Sequence, residues 1–310
     1  MRKVLLATTA LVAMGGVSAA SADITMTASS EFKYSNYSDN SGSSTDKSTY
    51  ATTADIVIKA TSALDNGMTV SASVDIDEGA NNAGGMSISG DFGTLGMGDM
   101  GSEHGGVSTD VTADEGTGLL ATWNSGTASS EIQMPADEQI PKSTVSWTSP
   151  DISGFNMSIG LTEGGTSDDG SQFGIGYSLD AGSMTIALNH ATHSIGTTDA
   201  TSTGVSVTMG DLVLKAASNT NEVGTTSDRT GDSFGATYKM SDALTVQAYT
   251  GTTEDSTAAS YKITDTGIGA TYTITPGLTA SITHNDYSAT TDAGVKTEGD
   301  FTALAINVTF

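Results

Sequence analysis

Few residues in this chain are placed to make or break bonds. Its histidines are His104, His190, His193 and His284, and none has a partner at nucleophile, acid–base or zinc-ligand spacing, which leaves loop or rim positions as the reading for most of them. There is no Cys, so neither thiolate chemistry nor disulfide stapling operates. Carboxylates are what gather. The segment 101–141 holds Glu103, Asp110, Asp114, Glu115, Glu131, Asp137 and Glu138 with no Lys or Arg among them. Lining a passage with low-dielectric walls, such groups concentrate cations and repel anions, whereas on an open surface they form only a solvated acidic loop. Asp110, Asp114 and Glu115 also offer the hard oxygen ligands calcium takes, although no complete EF-hand or nonapeptide calcium repeat is present. The chemistry indicated is ion attraction with no cofactor required, and no enzyme.

The elements that must position these groups read as strands. Segments of about ten residues alternate apolar with small or polar side chains, the pattern of a sheet with one face toward lipid and one toward water. Leu304, Ile306, Val308 and Phe310 alternate with Ala303, Ala305, Asn307 and Thr309; Phe155, Met157, Ile159 and Leu161 alternate with Asn156, Ser158, Gly160 and Thr162. Tight turns are signalled at 64–68, 180–183, 240–244 and 275–277, and longer polar stretches at 39–49, 193–202, 219–231, 252–260 and 288–299. Short turns at one end and long loops at the other are the signature of an outer-membrane barrel. The expected fold is all-β: a transmembrane antiparallel β-barrel of sixteen strands, a size that leaves an aqueous channel rather than a packed interior. A soluble sandwich would bury large residues on one face and charge the other, but here the second face is mostly Ser, Thr, Gly and Ala.

Residues 1–22 have the form of a secretory signal peptide: Arg2 and Lys3, an apolar run over 4–17, then Ala20-Ser21-Ala22. Cleavage there leaves a barrel domain of 23–310. In it nine basic residues stand against 36 acidic ones, a formal charge of −27, which argues against nucleic acid as a partner. No apolar run beyond the leader approaches the length of a membrane helix.

Three short motifs carry a family resemblance. Gly90-Asp91-Phe92-Gly93-Thr94-Leu95-Gly96-Met97-Gly98 resembles the hairpin before the third loop of Gram-negative general diffusion porins, most closely their alphaproteobacterial branch. Ser143-Thr144-Val145-Ser146-Trp147-Thr148-Ser149-Pro150-Asp151-Ile152-Ser153-Gly154-Phe155 resembles the segment after that loop, and Phe310 matches the family's terminal aromatic. The resemblance implies that 101–141 is a constriction loop folded into the barrel, that three barrels form a homotrimer in lipopolysaccharide-containing outer membrane, and that the barrel-assembly machinery reads the last strand through Phe310. It also implies a basic wall facing the loop. This sequence departs from the pattern there: Asp99 stands where many of these porins carry Arg, and Arg229 is the one Arg beyond the leader.

Strand parity puts Glu31, Lys33, Asp55, Lys59, Asp75, Asp77, Lys215 and Lys239 toward the lumen, since charge against lipid is costly. Lys33 and Lys59, on the first two strands, are the best counter-charges to Glu103, Asp110, Asp114 and Glu115 at a constriction; ordinary pairing with Glu31 and Asp55 is the alternative. Trp147 suits an interfacial girdle and Trp123 an anchor within the loop. The function expected is passive diffusion of small hydrophilic solutes and ions, with cations preferred. A structural or adhesive surface protein is the alternative, but it should show a fixed repeat, and none is found. A barrel-borne lipid hydrolase lacks a supporting Ser and His motif.

Overall fold

The alternation of side chains does form strands, and the strands close on themselves. The computed structural model describes residues 22–39, 47–77, 83–98, 144–162, 169–225, 227–256, 261–291 and 294–310. In chain order the strands are β1 (Asp23–Asp39), β2 (Lys47–Ala63), β3 (Thr69–Asp77), β4 (Ala83–Gly90), β5 (Gly93–Gly98), β6 (Val145–Thr148), β7 (Phe155–Thr162) and β8 (Gly170–Asp180). They continue as β9 (Thr185–Ile195), β10 (Thr198–Met209), β11 (Leu212–Val223), β12 (Ser227–Lys239), β13 (Leu244–Asp255), β14 (Tyr261–Thr275), β15 (Leu278–Thr291) and β16 (Lys296–Thr309). Each pairs antiparallel with its neighbours in sequence, and β1 pairs with β16 from Ser29↔Thr309 to Asp39↔Gly299, giving a closed sixteen-stranded barrel. Closure leaves no edge with unpaired amides. At the seam the Phe310 N–H donates to the Ala28 carbonyl at 2.8 Å.

Turn chemistry sets the short end. Leu64 and Met68 close the first hairpin, with the Leu64 N–H on the Met68 carbonyl at 2.7 Å and the Met68 N–H on Asn66 Oδ1 at 3.1 Å. At β8–β9 the Gly182 N–H donates to Asp180 Oδ1 at 2.8 Å, an Asx turn that fixes the reversal.

Four expected loops give up residues to strands instead. The stretch 193–202 becomes the end of β9, a turn at Gly196 and Thr197, and the start of β10; 219–231 runs through Val223 and resumes at Ser227. Likewise 252–260 and 288–299 each lose several residues to the paired ladders. These extensions are rich in Thr, Ser and Asn on both faces, so no apolar alternation marks them. The β-branched Thr still favours the extended backbone, and each hairpin, once started, keeps pairing. For the same reason His193 lies within β9, and His190 and His284 also lie within strands. Since a membrane strand needs roughly 9–11 residues, strands of 17 residues such as β1 and β2 extend well past a bilayer.

Candidate functional site: the inner wall of the barrel

Register defines two faces. Ile24, Met26, Phe32, Ile56, Phe173, Tyr177, Leu188, Phe234, Ile268, Ile282, Leu304 and Ile306 share one face and remain exposed, which makes it the outer one. Ser158, Gln172, Ser202, Asn219, Gln247, Thr283 and Asn285 share the other and are covered by neighbours, so the inner wall is polar. Trp147 belongs to the outer face at the short-turn end, opposite Leu95 and Ile159, and its indole N–H donates to the Phe92 carbonyl at 3.0 Å. His190 and His284 also lie on the outer face, each against a cross-strand threonine hydroxyl, Thr203 and Thr302, at 2.8 Å. His193 is on the inner wall, buried in the row that joins Gln172 to Ala200.

By register, Glu31 and Lys33 of β1 lie on the inner side with Asp55 and Lys59 of β2, and Asp75 of β3 lies across from Val57. Asp77 is the register partner of Asp55; its side chain falls outside the described residues. Lys215 sits between Ser206 and Gly235. Lys239 ends β12 at the short-turn rim, where its Nζ donates to Asp242 Oδ1 at 2.8 Å. That hydrogen bond, with the lysine's charge, holds the Asp242 carboxyl below the usual carboxylate range. Glu103, Asp110, Asp114, Glu115 and Asp99, together with the whole expected constriction loop 101–141, Trp123, His104 and residues 1–21 of the expected leader, lie outside the described residues. Among the described residues, no group of three or more His, Cys, Asp or Glu is placed to hold a metal ion.

Two inner-wall groupings were not singled out from the sequence. Arg229 and Asp255 are register partners near the loop end, with Nε 3.3 Å from Oδ2. On β13, β14 and β15 the Tyr249 hydroxyl donates to Asp265 Oδ2 at 2.5 Å and accepts from Asn285 Nδ2 at 2.7 Å. Arg229, Asp255 and Asp265 all fell in or beside segments read as loops; carrying the strand parity outward from Tyr249 would have placed them on the inner side.

The sequence profile of a family described as Gram-negative porin matches residues 7–303. Among solved structures the chain is similar to the anion-selective porin from Comamonas acidovorans, with a TM-score of 0.70 at 15% identity, covering 94% of this chain and 100% of that one. It is also similar to a triple mutant of the Rhodopseudomonas blastica porin, with a TM-score of 0.62 at 18% identity over 93% of this chain and 100% of that one. A loop-deletion mutant of OmpT, an outer membrane protein of Vibrio cholerae, gives a TM-score of 0.62 at 11% identity over 93% and 99% of the two chains. None of the curated proteins matches this sequence.

Proposed function

The chain belongs to the Gram-negative porin family, and from that premise we propose that it admits small hydrophilic solutes and ions by passive diffusion, with cations preferred. The observation that carries this reading is the pairing of a polar inner wall with an apolar outer face on a closed sixteen-stranded barrel. Diffusion through such a lumen needs no catalytic group. Selectivity rests on Glu103, Asp110, Asp114 and Glu115 facing Lys33 and Lys59 at the narrowest level, with Asp110, Asp114 and Glu115 also able to ligate calcium. The leader 1–22 directs export and Phe310 presents the last strand to the barrel-assembly machinery.

A homotrimer in lipopolysaccharide-containing membrane is part of the same proposal. In its support, the outer face of β1 and β2 carries apolar and aromatic side chains over Ile24, Met26, Phe32, Tyr34, Tyr50 and Ile56, with the Tyr34 and Tyr50 rings 5.1 Å apart. On β11 the outer face carries Leu212, Leu214 and Ala216 and then Ser218, Thr220 and Glu222, whereas on β1 Phe32 and Tyr34 follow Ser30. Burying the longer strip against a second copy suits it better than headgroups do.

Swelling of proteoliposomes in isotonic sugar tests the permeation reading. Monosaccharides should enter quickly and larger oligosaccharides slowly or not at all. Folded, inserted protein that admits not even the smallest sugar overturns it.

A further inference from the structure

Tyr249 lies in the row Tyr249–Gly267–Asn285 across β13, β14 and β15. Its ring passes over Gly267, so the hydroxyl meets Asn285 on the strand beyond and Asp265 beside it. A Cβ added to Gly267 would overlap the ring edge, meeting Cζ at 2.9 Å and Cδ1 at 3.1 Å with Cε1 closer still. The next pair of strands repeats the arrangement: Tyr287 is paired with Gly299, and a Cβ there would overlap the Tyr287 ring and the Ser38 carbonyl.

We infer that Gly267 and Tyr249 act as one positioning unit that lays an aromatic side chain flat along the inner wall and thereby sets the bore at that level. A tyrosine standing up from the wall would project across the passage. Laid over a glycine it fills the gap in the sheet left by the missing side chain and satisfies its hydroxyl laterally, through one bond to a carboxylate and one from an amide. Tyr249 is only 3% exposed, which removes it as a stacking platform for a passing solute. Its part in permeation is to stay out of the way while holding Asp265 against the wall.

The test is a cycle of variants of the full-length protein, read by single-channel conductance in planar bilayers. Gly267→Ala should conduct less than the parent, because the ring must leave the wall. Tyr249→Ala should conduct as much as the parent or more, and Gly267→Ala added to it should change nothing further. A Gly267→Ala barrel that folds and conducts like the parent overturns the inference, as does a double variant that conducts as poorly as Gly267→Ala. If Gly267→Ala does not fold, recovery of folding in the double variant supports the overlap with the ring, and failure of both variants overturns it.

Discussion

Gly93 and Gly182 both hold positive φ, +100° and +82°, yet they sit in different surroundings. A Cβ at Gly182 meets nothing within 4 Å, so Gly182→Ala should cost only the left-handed backbone penalty, about 1–2 kcal/mol. At Gly93 the same Cβ would collide with the Thr148 carbonyl and lie 3.0 Å from the Ser149 carbonyl carbon and 3.1 Å from the Pro150 nitrogen. Gly93→Ala should therefore cost more than about 3 kcal/mol or prevent folding, since β5 cannot then approach β6. Urea unfolding in detergent micelles orders the two variants; equal losses would contradict the contact at Gly93. A second residue-scale expectation concerns Asp242. Its folded pKa is lowered by Lys239, so the contact contributes stability above the ordinary carboxylate range, and that contribution is lost as pH falls through the lowered value. The pair is exposed, and the contribution is correspondingly small. In a carboxyl-carbon NMR titration, Lys239→Met should return Asp242 toward the ordinary range; an unmoved titration would show that the hydrogen bond does not form.

Single strands carry the division between lipid and water. Ile282 and Ser281 are neighbours on β15, the first paired outward with Leu304 and the second inward with Ala305. Ile282→Lys should destabilise the barrel by roughly 2–4 kcal/mol, the cost of a lysine facing mid-bilayer, and Ser281→Lys by much less. Folding titrations into lipid vesicles measure both; similar penalties would mean that the faces are misassigned. The outer face was legible in the sequence because Leu304, Ile306 and Val308 alternate with small residues, and the sixteen strands followed from repeats of that pattern. What was not legible lies above the apolar band. There β9 to β16 run on through Thr, Ser, Asn and acidic residues, both faces meet water, and alternation loses its signal although the ladder continues. Arg229, Asp255 and Asp265 were missed as wall residues for that reason. The acids of 101–141 were conspicuous by composition, but composition does not say where a loop's side chains point.

Across the whole molecule, net charge is a poor guide to what a permeating ion meets. Asp199, Glu222 and Asp228 occupy one row on the outer side of β10, β11 and β12, and Asp286 and Asp300 are directly paired on the outer side of β15 and β16. These five acids therefore face outward, while the inner side carries Lys33, Lys59, Lys215 and Arg229 together with Glu31, Asp55, Asp75, Asp255 and Asp265. Cation preference, if it arises at a constriction, should respond to the loop acids and not to the outer row. Reversal potentials under a salt gradient should fall for the variant with Asp110→Asn, Asp114→Asn and Glu115→Gln, and hold for Asp199→Asn with Asp228→Asn; the opposite pattern would move selectivity away from 101–141. An open aqueous lumen underlies all of these expectations. Purified protein added to a planar bilayer tests it most directly: current should rise in uniform, persistent steps whose size scales with the conductivity of the bathing salt. A barrel that inserts folded, shown by its heat-modifiable migration, yet carries no current would contradict a water-filled channel.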